Sequence, residues 1–271
     1  AVEVGGLFGN PNDLALHLVM MAPLSITLGI ASKKMWLKLL YFVMTAFFFG
    51  AIMVTYSRGG FLGLLVSGAF LVWKLGRKNR FKIILVSSIV GLLFLIFAPG
   101  NYGLRILSIF IPGLDPVGSR GQRQELLWRS ILVTIRNPWG IGIGNFPIVG
   151  VRNLQTHNAY TQVSSEIGIL GLAAYLTLII SPFRKLAAIE RMLLEKGENN
   201  WFYLLSIGFQ ASIIGYMVTS FFGPVAYSWF IYYLIAYAVC FRRIYKLMLD
   251  ENVGHSELDS NQNGSPEPQM A

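Results

Sequence analysis

Seven apolar stretches, most of them near the roughly 20 residues that span a bilayer, constrain how this chain can fold. They run from about Leu14 to Ile30, Met35 to Val54, Phe61 to Trp73, Ile83 to Ala98, Val163 to Pro182, Trp201 to Phe222 and Val225 to Phe241. The third is short, and it reaches spanning length if Gly59, Gly60 and the stem of Lys74 lie at the interfaces. With 54% hydrophobic and 13% charged residues among 271, the balance is not that of a soluble globular domain. The expected fold is all-α, a polytopic transmembrane helical bundle of about seven spans.

A net charge of +9 would suggest nucleic acid in a soluble protein, but here the charges sort by side of the membrane. Lys33, Lys34 and Lys38 follow the first stretch, Lys74 to Lys82 the third, Arg184 to Lys196 the fifth, and Arg242, Arg243 and Lys246 the seventh. The positive-inside rule assigns these ends to the cytoplasm. The N-terminus is then outside and the C-terminus inside, and an odd number of spans agrees with termini on opposite sides. No nucleic-acid partner is expected. Nothing ahead of the first stretch resembles a basic leader, and an N-out start reads as an N-terminally truncated sequence. The single cysteine, Cys240, sits near the cytoplasmic end of the last stretch and reads as a packing residue.

The chain therefore divides into spans one to four over 1–98, an outside loop over 99–162, spans five to seven over 163–249, and a polar tail over 250–271. The tail lacks the large apolar residues needed for a core and reads as disordered. Gly9 to Asp13 reads as a turn, with Asn12 or Asp13 capping the first helix. Metal-ligand spacing, a phosphate-binding Walker loop and a Gly-x-Ser-x-Gly elbow are all absent from the sequence. The outside loop is far longer than a connection needs to be. Within it, Gln122 to Asn137 places Leu127, Ile131 and Ile135 on one face of an amphipathic helix lying on the membrane. The alternate glycines of Gly140-Ile141-Gly142-Ile143-Gly144 permit close backbone approach to a ligand, or equally a plain turn.

Three groups of residues could carry chemistry. The loop holds Arg105, Arg120, Arg123, Arg129, Arg136 and Arg152 but no lysine, and the planar guanidinium fork suits a diphosphate as well as an anionic lipid headgroup. Arg58, ahead of Gly59 and Gly60 at the outer end of the second span, needs a partner or a polar cavity, or else snorkels. His157 closes the loop, and Glu166 follows within two helical turns of Tyr160. The imidazole could take a proton from an acceptor hydroxyl, with the carboxylate orienting it or pairing with arginine. His17, within the first span, reads as an interhelical hydrogen-bonding residue.

The order of these signals resembles the O-antigen ligase and O-antigen polymerase superfamily. The matching elements are Gly6 to Asn12, Ser57-Arg58-Gly59-Gly60, Arg123 with Trp128, Pro138-Trp139-Gly140-Ile141-Gly142 through Phe146, His157-Asn158, and Glu166-Ile167-Gly168 through Gly171. The resemblance covers about residues 5 to 175. It implies an inverting, metal-independent glycosyl transfer at the periplasmic face of the bacterial inner membrane, with no cofactor. The donor would be an undecaprenyl-diphosphate glycan and the acceptor a hydroxyl of a glycan, lipid A core or protein, with membrane lipids as further partners. Carried onto this sequence, Arg58, Arg120 and Arg123 would bind the diphosphate, and His157 with Glu166 would form the catalytic pair. Arg123 stands five residues before Trp128 where the family pattern expects four, and family members usually have more spans. A transporter that attracts anions, or a non-catalytic membrane scaffold, is the alternative from the residues alone.

Overall fold

The computed structural model describes residues 10–76, 119–150, 153–198 and 200–263 with isolated positions 81 and 85; at 119, 120 and 252–263 it describes the backbone only. The fourth apolar stretch, Ile83 to Ala98, lies almost entirely outside the described residues, as do Arg105 and Arg152. Among the described residues the protein is all helix and turn, without a strand. The helices are α1 (Pro11–Ala31), α2 (Met35–Thr55), α3 (Arg58–Leu75), α4 (Ser119–Arg136), the short α5 (Phe146–Val149), α6 (Ala159–Glu166), α7 (Gly168–Glu195), α8 (Trp201–Thr219) and α9 (Trp229–Asn263). Of these, α1, α2, α3, α7 and α8 are long and apolar enough to cross a membrane.

The core is built around α8. It is buried along most of its length and packs on α1, α3 and α7. Small residues set the spacing, as expected where helices associate without a hydrophobic driving force between them. Val19 and Ser67 close on Gly215, Thr219 closes on Gly63, and Thr27 closes on Gly208. The Ser25 and Thr45 hydroxyls meet at 2.7 Å between α1 and α2. The tyrosine hydroxyls of Tyr175 and Tyr216 join α7 to α8.

These crossings sort the bundle ends. The starts of α1, α3 and α7 share one end with residues 220–228, and the lysine-bearing ends of α1, α3 and α7 gather at the other. There Lys74 is no free surface charge: its ammonium bonds Glu190 Oε2 at 2.7 Å. Gln210 Nε2 donates to the same oxygen at 3.0 Å, and the ammonium also lies over the rings of Phe70 and Trp73.

Three features depart from the expected boundaries. Asn10, rather than Asn12 or Asp13, caps α1, accepting from the amides of Asn12 at 2.8 Å and Asp13 at 3.2 Å. Pro11 at the first helical position makes its neighbour the cap. The fifth stretch is two helices, since α6 ends at Glu166 and Gly168, at φ +88°, opens α7. The seventh begins at Trp229, because Gly223-Pro224 ends the preceding turn and Ser228 N–H bonds back to the Val225 carbonyl. Val225 and Ala226 are buried in that turn instead of lengthening a span. At its far end α9 continues to Asn263, through a segment that carries no proline before Pro266.

Candidate functional site

Residues 138–142 of the long loop are seated on the break between α6 and α7. Ile141 N–H bonds the Ser165 carbonyl at 3.0 Å, Gly142 N–H bonds the Glu166 carbonyl at 2.9 Å, and Ile169 N–H bonds the Pro138 carbonyl at 2.9 Å. This backbone seam is what interrupts the helix: the amide of Ile169 is spent on the loop and not on its own preceding turn. Two glycines make it possible. A Cβ at Gly140 would overlap the Glu166 carbonyl oxygen, and one at Gly168 would overlap the Pro138 carbonyl oxygen. Both residues have positive φ, +86° and +88°. The close approach that the loop glycines permit is thus made by the chain's own broken helix.

Below the seam lies a small core of Leu126 and Val133 from α4 with Phe146, against which Ile141, Val149 and Leu154 pack. The buried line of α4 is therefore Leu126, Ser130 and Val133, a face distinct from the expected membrane-facing line of Leu127, Ile131 and Ile135. Ser130 conceals this face in the sequence, since its hydroxyl bonds its own helix at Leu127. The opposite face is apolar and open: Trp128 is 66% exposed, Ile135 68% and the adjoining Trp139 81%. Arg129 is committed to structure, its Nε donating to the Val149 carbonyl at 3.0 Å.

Helix α6 is the hub. Asn158 caps it through the amides of Tyr160 and Thr161, which fixes His157 just ahead of the first turn. Ser164 meets Thr134 of α4 at 2.9 Å. The Tyr160 hydroxyl donates to the Met217 carbonyl at the outer end of α8, and Gln162 Oε1 accepts from Ala226 N–H. Glu166 is 1% exposed, and its Oε1 accepts from Phe146 N–H at 3.3 Å. The Tyr227 hydroxyl is a neighbour of this carboxylate, although Glu166 Oε2 and Tyr227 form no hydrogen bond of standard geometry. Burial, and then the Glu166 charge, push the Tyr227 phenol above the usual tyrosine range.

His157 is half-buried. Burial first, and the nearby Arg123 guanidinium second, hold its imidazole below the usual histidine range. A neutral imidazole at neutral pH is one that can accept a proton. The structure thus brings Arg123 and His157 together, while Glu166 lies on the opposite end of α6, against Phe146 and Tyr227. Arg58 is the half-buried first residue of α3, where Ser57 Oγ accepts from Gly60 N–H at 3.1 Å. Its link to α6 runs through residues 220–222, for Phe222 covers Gly59 and Ser220 and Phe221 touch Tyr160. Arg120 lies in the first turn of α4, at backbone level only.

Sequence reasoning missed Tyr227, Tyr160 and Gln162. The first was absorbed into a supposed span, and only Gly223-Pro224 signalled that a loop stood there. Among the described residues no three His, Cys, Asp or Glu side chains gather as a metal would need. His17 packs against the rings of Trp229 and Phe230 inside the bundle.

The described residues form an integral membrane bundle of helices, with residues 138–142 seated on the break between α6 and α7 and Arg123 near His157. Residues 42–176 match the family model described as O-antigen ligase. The chain belongs to the O-antigen ligase-related family. The match runs from α2 through the loop and α6 into the start of α7, and so includes every candidate site residue. No curated protein matches the chain.

Proposed function

We propose that this protein transfers a glycan from an undecaprenyl-diphosphate-linked donor to a hydroxyl acceptor at the periplasmic face of the inner membrane, with the N-terminus of this chain periplasmic and its C-terminus cytoplasmic. The observation that carries the proposal is the pairing of Arg123 with a His157 held neutral by burial and by that same cation. This arrangement suits a step in which one group receives phosphate charge and the other a proton.

In the reaction, the acceptor oxygen forms its bond to the donor's anomeric carbon from the side opposite the diphosphate, and the bond from that carbon to the phosphate oxygen breaks. The bonding electron pair leaves with the diphosphate. The hydroxyl proton goes to His157. Arg58, Arg120 and Arg123 stabilise the charge gathering on the leaving group, using paired donors that match phosphate oxygens. No metal enters this scheme, and the loop from Pro99 to Gln162 offers only Asp115 and Glu125 as acids. Glu166 acts as a positioning residue, since its carboxylate holds the Phe146 amide and so the loop end that follows the seam.

The test is a set of paired measurements of donor affinity and transfer rate in one membrane preparation. Arg58→Lys and Arg123→Lys keep charge but lose the bidentate fork, and both quantities should fall. His157→Ala should spare donor affinity and slow transfer by about 10²- to 10⁴-fold. Equal loss of donor affinity in His157→Ala and Arg58→Lys, at equal protein level, would put His157 in the diphosphate clamp and sink the division of roles.

A further inference from the structure

Along the middle of α7, that helix and α9 part to leave a cleft of about 480 Å³, within the range of roughly 300 to 1,000 Å³ typical of ligand sites. Small residues hollow it out: Ala174 and Ser181 on α7 lie across from Ala238 on α9. Leu178, Ile235 and Val239 supply apolar walls. The Thr177 hydroxyl is turned onto the Ala173 carbonyl of its own helix at 2.8 Å, which leaves its methyl as lining. Two cations stand at one end, Lys185 and Arg242, four residues beyond Ser181 and Ala238 respectively. Among the described residues no carboxylate pairs with either; the acids nearby are taken, Glu190 by Lys74 and Glu195 by Arg191.

We infer that this cleft is a binding site for an anionic phospholipid, with an acyl chain lying along the apolar walls and the headgroup phosphate between Lys185 and Arg242. A bare apolar face would accept any lipid tail. The two unpaired cations at the end of the groove select charge, as basic pockets between spanning helices do. Their side chains also have the reach to meet a headgroup at the interface while their stems cover the mouth of the cleft. The site is independent of the glycan-transfer reading, because none of Arg58, Arg120, Arg123, His157 and Glu166 lines it and its two cations lie toward the end of α7 away from the loop seam.

The full chain in detergent, titrated with phosphatidylglycerol and separately with phosphatidylethanolamine and followed by native mass spectrometry, tests this. Wild type should retain phosphatidylglycerol preferentially. Each of Lys185→Gln and Arg242→Gln should lower that preference by about fivefold, the change expected for one basic residue at an anionic surface. Filling the groove with Ala238→Phe should weaken both lipids together. Arg184→Gln with Arg243→Gln, exposed charges at the same end but outside the cleft, should leave the preference intact. Equal retention of the two lipids by wild type would overturn the site. So would a loss in the Arg184/Arg243 control as large as in the cleft variants, which would reduce the effect to diffuse surface charge. Displacement of the lipid by inorganic phosphate at equal concentration would overturn the role of the acyl chain.

Discussion

At the scale of single residues, the proposed chemistry rests on how Arg123 acts on the proton affinity of its neighbour His157. Arg123 lowers the proton affinity of His157, in addition to the larger effect of burial. Removing the cation therefore raises it. In Arg123→Gln the acid limb of the pH–rate profile should move to higher pH, because His157 then stays protonated, and unable to accept a proton, up to a higher pH. An unmoved acid limb would mean that another group titrates. The sign for stability is the same. A histidine whose folded affinity lies below its unfolded value binds more protons when unfolded, so its contribution weakens as pH falls below the unfolded value near 6.5. His157→Gln should flatten the loss of thermal stability between about pH 7 and 5. The pairing itself was invisible in the sequence, where the two residues are 34 positions apart and the only clue was that both stand in one loop.

At the scale of elements, the decisive structure is the seam between the glycine loop and the α6–α7 break. Gly140 and Gly168 combine positive φ with main-chain contact, so alanine at either is strained twice over. A residue forced into the left-handed region costs about 1 kcal/mol or more before any overlap is counted. Gly140→Ala and Gly168→Ala should each free the loop, seen as faster cleavage between 137 and 150 by limited proteolysis and as lost transfer. Gly144→Ala should be far milder, since a Cβ there meets nothing within 4 Å and only the φ of +78° opposes it. Equal sensitivity at Gly144 and Gly140 would refute the seam. The sequence announced glycines and a turn. It could not say that the partner was the break between two helices, because hydropathy over Val163 to Pro182 does not register where the backbone hydrogen bonds are diverted. The amphipathic helix was legible to within a few residues, but not its second, inward face, because Ser130 bonds its own backbone and buries as if apolar.

At the scale of the whole molecule, the division of charges predicts both orientation and cohesion. Cysteine placed at Asn153 should label from outside intact spheroplasts, and cysteine at Lys78 should be protected; the reverse pattern would invert the topology and remove a periplasmic reaction. Cohesion at the lysine-bearing end rests on Lys74, Glu190 and Gln210. Breaking one side of such a buried pair typically costs about 3–5 kcal/mol, because the remaining charge is stranded. Glu190→Leu should therefore destabilise strongly, and Lys74→Met added to it should recover part of the loss, measured by thermal unfolding in detergent. If the double variant is no better than Glu190→Leu, the pair is not coupled. This network was not legible, for Lys74 read as one more basic residue of a cytoplasmic loop and its partner lies 116 positions away. The fold class, by contrast, follows from apolar length alone.

The seam has a consequence for how such a protein can be altered. Its hydrogen bonds to the broken helix are made by main-chain atoms, and the side chain of Ile143 is exposed and no part of the attachment, whereas Ile141 packs on the core below and Asn145 Nδ2 donates to the Ile141 carbonyl. Glycines at 140 and 168 form a socket that does not depend on what the loop displays. A segment of different composition, grafted between Asn137 and Phe146 with Gly140, Ile141, Gly142 and Asn145 kept, would seat in the same place and display new groups, which makes this short segment a natural point for exchanging surface chemistry without rebuilding the bundle.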